Sequence, residues 1–415
     1  MATTGVTGGA WRADVTSTGS VEPWDGSAPL HWFVAADDRW HDPATEVAVR
    51  QRRLGGSAVF ETKLRIPSGD AVQRAWSVPD LGGVTLVEVH NDSPLPIACA
   101  FTRPDLLTTR PPTGVPLEGI DLPAGTIVVP VGHRTSVAVG LRHHGPAPGP
   151  LPAGLPGADA VARGWRLRTD AASRLELPDA ALADAVRATR CEAALAGPPR
   201  LADDPARYLL VLAELVRMGE LDRAAAADVA VDVAAAVASV ARDAGHRLGG
   251  PALDAAGVVL AAAGERRALR DLTRLSARPD LLSPHTHRDG AAPALPPAAP
   301  SGDIVTVADV EGLLLRGGRI LPAGIPAAWL GHDLEAHGLV AGPATRLSLA
   351  LRWHGPNVAV LWEATGDPVT LTSGVDRYWR TDAPSGEALW RPRPASGAPI
   401  ALEHVGERRG PRDAR

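Results

Sequence analysis

The spacing of apolar residues changes twice along the chain, and these changes limit the folds that the sequence can adopt. In residues 11–142, short apolar runs alternate with polar residues and are separated by turn residues such as Asn-Asp and Ser-Gly-Asp. In residues 177–277 apolar side chains recur every three or four positions, and in 303–392 the alternation returns. Alternation is typical of strands, and the longer spacing is typical of amphipathic helices. The sequence therefore predicts a β region, an α region and a second β region.

Two stretches without a hydrophobic period separate these regions. Residues 143–158, HHGPAPGPLPAGLPGA, are rich in Pro and Gly, and residues 291–300 repeat Pro and Ala, as linkers do. The chain has 415 residues, enough for about two or three domains. The predicted organisation is an N-terminal β-sandwich at 11–142, a linker and lead-in at 143–170, an α-helical hairpin domain at 171–290, a linker at 291–302, a small C-terminal β-domain at 303–395 and a disordered tail at 396–415.

The clearest local pattern predicts an antiparallel hairpin at residues 347–363, with a Gly-Pro-Asn turn between its strands. Arg352, His354 and Glu363 lie opposite its apolar face, where they suit a solvated sheet or a ligand surface. Upstream, DIVTVADV at 303–310 is also predicted to be β. The apolar face of the hairpin consists of Leu347, Leu349, Leu351, Trp353, Val358, Val360 and Trp362.

Short strands at near-regular spacing in the N-terminal region are typical of a β-sandwich. Inward side chains of such a sandwich come from alternate positions of each strand. The predicted inward residues are Val59, Leu64, Ile66, Trp76, Val84, Leu86 and Val89.

The α region predicts about five helices between residues 177 and 280. Asp203 or Asp204 precedes Pro205, which is a capping residue followed by proline at the first helical position. Glu214 is expected on the solvated face of this helix. An Ala-rich helix is predicted at about 221–245, and shorter helices follow it.

Composition limits the classes of partner. The net charge of -5 argues against a general nucleic-acid binder, since phosphate contacts need a basic surface. The chain has neither an apolar run of about 18 residues nor a leader-like start, so we expect a cytoplasmic protein without a membrane contact. Cys99 and Cys191 lack metal or disulfide spacing and are expected to be buried thiols. No phosphate-loop or dinucleotide motif occurs, and no cofactor is expected.

The densest cluster of polar and aromatic residues is Asp37, Asp38, Arg39, Trp40 and His41. Tryptophan rings stack on the apolar faces of sugars, while carboxylates and Arg hydrogen-bond to hydroxyl groups. The cluster is therefore a candidate saccharide site. The alternative is a polar loop whose Trp40 fills a gap in the sandwich or at a domain interface.

Two histidine pairs are candidate metal ligands. His143 and His144 lie in the Pro/Gly-rich stretch, and His285 and His287 lie in LSPHTHRD at 282–289. A metal site needs three or four converging ligands, and neither pair has a third in its neighbourhood. Both pairs are expected in exposed loops, and no metal site is predicted.

Four stretches resemble the six-hairpin glycosidases, the superfamily of glucoamylase-like and maltose-phosphorylase-like enzymes, and in particular a glycoside-hydrolase-like branch from actinobacteria. They are AADDRWHDP (35–43), VFETKLRIPSGDAVQRAW (59–76), DDPARYLLVLAELVRMGELDRA (203–224) and LRWHGPNVAVLWE (351–363). The resemblance implies a β-sandwich, a ring of α-hairpins and a small β-domain. About five helices amount to a reduced, partial α/α toroid, since the full ring of this superfamily has twelve.

The resemblance implies a carbohydrate-related protein that hydrolyses or binds an α-glucan or a glycoside. Hydrolysis needs two carboxyl groups that flank the scissile bond, one of them with a raised pKa. Asp203, Asp204 and Glu214 are the acids of the helical region nearest a helix edge, and each has a structural explanation. The alternative is a catalytically inactive structural or partner-binding protein that retains the scaffold.

Overall fold

The computed structural model describes residues 2–37, 39–113, 120–243, 247–276, 295–296 and 303–392. Strands come first, helices follow and strands close the described chain, so a mixed α and β architecture with several sheets is confirmed. The predicted linker at 291–302 lies outside the described residues apart from 295–296, and the predicted tail at 396–415 lies outside them entirely. His285 and His287 also lie outside them.

The N-terminal strands form three antiparallel or mixed sheets in the described chain. A three-stranded sheet has the order β1-β2-β3, a four-stranded sheet the order β12-β10-β4-β5, and a seven-stranded sheet the order β14-β11-β13-β9-β8-β7-β6. Their bounds are β1 Thr3–Gly5, β2 Arg12–Val15, β3 Val21–Pro23, β4 Trp32–Ala35, β5 Trp40–His41, β6 Val49–Arg53, β7 Phe60–Ile66, β8 Gly69–Val78, β9 Val84–Asn91, β10 Ile97–Phe101, β11 Leu107–Thr108, β12 Ile127–Val131, β13 Ser136–Arg142 and β14 Gly149–Pro150.

The seven-stranded sheet is buried on both faces. Leu64, Ile66 and Val89 point into a sandwich core shared with the four-stranded sheet. The remaining predicted inward residues are also buried, but they belong to a second core between this sheet and two helices. These residues of the second core are Val59, Trp76, Val84 and Leu86. All seven are buried as predicted, and they divide between two faces because adjacent strand positions alternate.

The expectation of a solvent-exposed His143 is wrong. Its ring stacks on Trp11 with 4.0 Å between the ring centroids, and its Nε2 lies 2.9 Å from Oγ1 of Thr85. Burial lowers the pKa of His143 to about 4, and the charges of His144 and Arg12 act in the same direction. The backbone extends the pairing of β13 with β9 by one residue, since the His143 amide donates to the carbonyl of Gly83. A neutral core histidine therefore follows the last strand residue.

The helices begin with one inside the predicted lead-in. Six of them, α2 to α7, lie between residues 180 and 276 of the described chain, where about five are predicted. Asp204 caps α3 as predicted, because its Oδ1 accepts from the amide of Arg207 at 2.9 Å. The predicted helix at 221–245 is two helices that meet at Val229. The bounds are α1 Ala158–Asp170, α2 Ala180–Ala196, α3 Pro205–Arg217, α4 Arg223–Asp228, α5 Ala230–Arg242, α6 Gly249–Ala263, α7 Arg266–Ser276 and α8 Val305–Leu314.

The prediction of β structure at 303–310 is wrong, because this stretch begins α8. Val307, Val310 and Leu314 are all buried, and their spacing of three and four residues matches a helix. The carboxylate of Asp303 accepts from the amide of Val305 at 3.1 Å and satisfies one free donor at the helix start. The β-branched residues that suggested a strand are therefore held in a helix by tertiary packing.

The C-terminal strands confirm the predicted hairpin. β19 and β20 pair antiparallel from Thr345 opposite Gly366 to His354 opposite Asn357. Its apolar face is buried as predicted, with Trp353 half-buried. The strand bounds are β15 Arg174–Glu176, β16 Leu315–Arg316, β17 Arg319–Ile320, β18 Leu334–Gly342, β19 Thr345–His354, β20 Asn357–Gly366, β21 Leu371–Ser373, β22 Arg380–Thr381 and β23 Ser385–Trp390.

One continuous core joins the helices to the C-terminal sheet. It contains buried side chains of α2, α3, α6 and α8 together with the inner face of the sheet β15-β18-β19-β20-β23. β15 precedes helices α2 to α8 in sequence, yet it pairs with β18 as an edge strand of this sheet. A group of buried charged residues lies where α2, α3 and α8 meet the sheet.

Candidate functional site

The structure places the predicted saccharide cluster at the hairpin of β4 and β5. The ring of His41 is buried and its Nδ1 lies 3.0 Å from Oε1 of Glu46, which also accepts from Arg39 at 2.6 Å. The hydrogen bond from Arg39 is the main cause that lowers the pKa of Glu46. Asp37 is exposed, Trp40 is half-buried, and Asp38 lies outside the described residues. Glu46 thus brings Arg39 and His41 together, and the saccharide site remains a prediction.

A second group of charges is buried where the helices meet the sheet. We call Arg190, Glu214, Arg217 and Glu311 the charge cluster. Arg190 donates to Glu214 and to Glu311, at 2.6 Å in both cases. Arg217 donates to both oxygens of Glu311, at 2.8 and 2.9 Å, and also to Glu214. Two cations and two anions therefore neutralise one another almost without solvent, since 12% is the largest exposed fraction among their side chains.

Burial of Glu214 contradicts its expected place on a solvated helix face. Helix α3 has neighbours on several sides, and nine of its thirteen residues are buried. A carboxylate in such a place needs hydrogen-bonding cations, and Arg190 and Arg217 provide them. The apolar stripe of α3 is short in the sequence. It therefore did not predict that this helix is surrounded by other elements.

The backbone before β15 completes the cluster. Ser173 donates from Oγ to Glu311 at 2.6 Å, while its carbonyl accepts from Arg190 at 2.9 Å. Burial on its own would raise the pKa of Glu311, but Arg217 and Arg190 outweigh burial and hold that pKa below its ordinary value. Glu311 therefore stays ionised at neutral pH. It is a bound anion and not a proton donor.

A pocket opens beside the charge cluster, between α3, α6, α8 and the strands β16 and β18. Its cavity volume is about 100 Å³. Glu214, Arg217 and Glu311 of the cluster line one side, and Asp254 and Arg316 contribute two further charges. The remaining walls are aliphatic, and no aromatic side chain occurs among the described lining residues. The main aliphatic residues of the walls are Leu210, Ala213, Ala255, Val258, Val307 and Leu339.

Asp254 and Arg316 differ from the cluster because their charges have no partner. Within the part of the chain that the structure describes, neither side chain forms a hydrogen bond or an ion pair. Partial removal from water by the surrounding protein raises the pKa of Asp254 to about 6. The positive charge of Arg316 opposes this rise. Both side chains remain exposed to solvent at the pocket, which screens part of the effect. The pocket thus presents one anionic and one cationic group with free hydrogen-bonding capacity.

Gly312 provides the space in which the guanidinium of Arg316 lies. A Cβ atom at Gly312 would stand 2.8 Å from Nη2 of Arg316, which is closer than real Cβ contacts. Glycine inside a helix costs about 0.5–1 kcal/mol relative to Ala, so its presence in α8 needs another reason. Room for the Arg316 tip is such a reason.

Arg217, which lines the pocket, has one unused donor that is fully buried. Its side chain is 3% exposed, and its two terminal nitrogens are engaged by the cluster. Its Nε–H has no hydrogen-bond partner among the described residues. Buried donors in native proteins nearly always have a partner, so this donor is an exception.

One residue in the sequence indicates this site, although hydrophobic periodicity and motifs do not reveal it. Asp254 is the only charged residue in α6, GGPALDAAGVVLAAA, where every neighbour is small or apolar. A lone carboxylate in a helix that is otherwise buried needs an explanation, and function is a common one. Glu311 and Arg316 had no comparable signal, because their stretch was predicted to be strands.

Other chemistries have little support in the described residues. They contain no group of three or more His, Cys, Asp and Glu side chains that could hold a metal ion. Cys99 and Cys191 are free and buried as predicted, and burial raises the pKa of both thiols. Such thiols are poor nucleophiles. No helix of the described chain has the length and apolar character needed to cross a membrane.

Replacing Asp254 by Asn is expected to stabilise the protein by about 1 kcal/mol at pH 7, less than the pKa shift alone would indicate because solvent screens the carboxyl. The pKa is raised above 3.8 in the folded state, so ionised Asp254 destabilises the fold above about pH 6. This cost disappears as the pH falls below 4, where both states are protonated. Urea unfolding at pH 7 and at pH 4 measures the difference.

Asp228→Asn is the matched control, because Asp228 is exposed at the end of α4 and has no charged partner in the described chain. It should leave the free energy of unfolding within about 0.5 kcal/mol of the wild type. A loss of stability on Asp254→Asn at pH 7 would show that the carboxylate supports the fold.

Comparison with known proteins identifies no relative: no family model, no curated protein and no solved structure matches the chain. The resemblance to six-hairpin glycosidases therefore stays an expectation from the sequence. The functional argument rests on the geometry of the pocket and of the charge cluster beside it.

Proposed function

We propose that this protein is a catalytically inactive binding protein that holds a small charged molecule in the pocket between the helices and the C-terminal sheet. The observation that carries the proposal is the contrast between two sets of charges. Those of the charge cluster neutralise one another, whereas Asp254 and Arg316 line the same pocket without a partner among the described residues. Unpaired charges beside an aliphatic wall favour a ligand that brings the opposite charges.

The carboxylates of the cluster are unsuited to acid–base chemistry. Both oxygens of Glu311 accept from Arg217, and Glu214 accepts from Arg190 and Arg217. A general acid needs a proton at neutral pH, but the arginines lower the pKa of Glu311. A nucleophile or base needs a free lone pair directed at the substrate. These contacts support a structural role for both glutamates.

The pocket is also poorly suited to a saccharide. Ligand pockets of drug size have volumes of about 300–1,000 Å³, and this one has about 100 Å³. Sugar sites commonly use aromatic stacking, and the described lining residues are aliphatic or charged. A carbohydrate-related role is therefore proposed only for the Asp37–His41 cluster, with the resemblance as its support. The same resemblance supports the proposal that the helices form a reduced six-hairpin arrangement.

One observation favours hydrolysis as a second candidate function. Glu214, Asp254 and Glu311 line a single pocket, and the pKa of Asp254 is raised while that of Glu311 is lowered. Two carboxyl groups whose environments separate their pKa values are the pattern of an acid and its ionised partner in glycoside hydrolases. Asp254 would then be the proton donor.

We expect small charged molecules to raise the melting temperature of the protein, because a ligand bound only by the folded state stabilises it. The probes are acetate, phosphate, ethylammonium and L-alanine, with maltose as the neutral comparison. The shift should disappear in the double variant Asp254→Asn/Arg316→Gln. It should persist in Asp228→Asn/Arg270→Gln, which changes exposed residues of α4 and α7. Absence of a shift with every charged probe would overturn the proposal.

Hydrolysis is tested in parallel with 4-nitrophenyl α-glucoside and maltotriose. The binding proposal expects no product above that of the double variant. Turnover by the wild type that Asp254→Asn abolishes would instead establish the second candidate. Asp254→Asn is informative here because it is expected to remain folded.

A further inference from the structure

We infer that the pocket binds a small α-amino acid as its zwitterion, with the ammonium group at Asp254 and the carboxylate at Arg316. This inference rests on the proposed function and names the class of its ligand. It follows from three properties of the pocket as the described residues form it: unpaired charges of both signs, room for the Arg316 guanidinium at Gly312, and short aliphatic walls.

The signs of the charges select the ligand. The charge cluster contributes two cations and two anions and is neutral as a whole. A simple anion would pair with Arg316 and leave Asp254 unpaired, and a simple cation would do the reverse. A zwitterion pairs with both groups through charge-assisted hydrogen bonds.

The donors on one side of the pocket suit a carboxylate. Arg316 presents a planar guanidinium above Gly312, and guanidinium groups bind carboxylates through two parallel hydrogen bonds. The guanidinium of Arg316 is therefore the group to which a ligand carboxylate would bind.

The size and polarity of the remaining space suit a short aliphatic side chain. A cavity volume of about 100 Å³ holds a few water molecules or a ligand of few heavy atoms. Ala213, Ala255 and Val258 present methyl groups and no hydrogen-bonding atoms. The pocket therefore fits alanine or valine better than a polar or aromatic amino acid.

Calorimetric titration with L-alanine and L-valine tests the inference on the full-length protein. Each amino acid is compared with two analogues that lack one charge, propanoate and L-alaninamide for alanine. We expect at least one of the two amino acids to bind. Loss of a charge-assisted hydrogen bond weakens binding by about 10-fold or more, and we expect this for both analogues.

The variants locate the bound molecule. Asp254→Asn and Arg316→Gln should each weaken binding by about 10-fold or more, while Asp228→Asn and Arg270→Gln should leave it unchanged. Gly312→Ala should also weaken binding, since the added Cβ displaces the guanidinium of Arg316. Because Ala favours the helix, this variant should not lose stability, which separates the loss of binding from unfolding.

The outcomes distinguish this inference from the proposed function. Binding of propanoate or phosphate as tight as that of the amino acids would overturn the zwitterion and leave a simple anion pocket. Binding that is equal in every variant would place the ligand elsewhere and overturn the inference. If no charged probe binds at all, both this inference and the proposed function fail.

Discussion

Replacing Glu311 by Gln is expected to lower the free energy of unfolding by about 3–5 kcal/mol. The amide is close in size to the carboxylate but carries no charge, so Arg190 and Arg217 lose one of their two anions. Their side chains are only 1% and 3% exposed, and water cannot replace that anion. The amide nitrogen of Gln is a hydrogen-bond donor. It cannot accept from the guanidinium groups of Arg190 and Arg217, which are donors as well. Urea unfolding at pH 7 measures the loss.

Glu387→Gln is the matched control for this substitution. Glu387 lies on β23, is exposed and has no ion pair within the described chain. Its replacement should change stability by no more than about 0.5 kcal/mol. A loss below about 1 kcal/mol for Glu311→Gln would contradict the view that the cluster is a tightly coupled buried network.

The pH dependence provides a second measurement of the same cluster. The pKa of Glu311 is below its ordinary value of 4.5 in the folded state, so its ionised form stabilises the fold. This contribution is complete above pH 4.5 and is lost as the pH falls through the lower pKa of the folded state. Stability of the wild type should therefore decrease below pH 4.5. Glu311→Gln should decrease less steeply over that interval.

Replacing Trp76 by Ala is expected to cost about 3–5 kcal/mol. The side chain is 3% exposed and fills the core between the sandwich and helices α1 and α2. Its indole Nε1 also donates to the carbonyl of Pro156 at 2.9 Å. Because this core is the contact between two parts of the protein, the loss should separate their unfolding into two transitions. Guanidinium unfolding followed by circular dichroism and by fluorescence would resolve them.

Trp24→Ala is the matched control, because Trp24 is 49% exposed and belongs to no hydrophobic core of the described residues. Trp76→Phe keeps a buried aromatic ring but loses the hydrogen bond and part of the buried volume, so we expect a smaller cost of about 1–2 kcal/mol. A single transition with an unchanged midpoint in Trp76→Ala would contradict the assigned contact between sandwich and helices.

Local patterns in the sequence were sufficient for some elements and insufficient for others. The hairpin of β19 and β20 and the Asp204 cap could be predicted because alternation and capping depend on neighbouring residues. Helix α8 could not, since its β-branched residues favour strands and only packing against distant elements overrides that preference. His143 was mistaken for a linker residue because composition does not show that a core extends past a strand end.

The pocket was harder to predict because its charged residues are far apart in sequence. Asp254 and Arg316 are on different elements, and nothing in either stretch indicates that the other lies opposite. Glu214 was expected in solvent, since an amphipathic helix is assumed to have one buried face until its neighbours are known. Residues Asp37 to His41 form a recognisable cluster in the sequence because they are adjacent in it.

The pairing of β15 with β18 also limits the order in which the protein can fold during synthesis. Arg174 and His337 are partners in that pairing, although 163 residues separate them. The N-terminal strands β1 to β14 pair only among themselves, and all of them have been synthesised when residue 150 has left the ribosome. The helices can complete their core only after β18 to β20 have been synthesised. Until then their apolar faces are exposed to solvent. Slow translation before β18 would therefore favour aggregation of nascent chains, and a chain ending before residue 334 should be recovered mainly as insoluble protein.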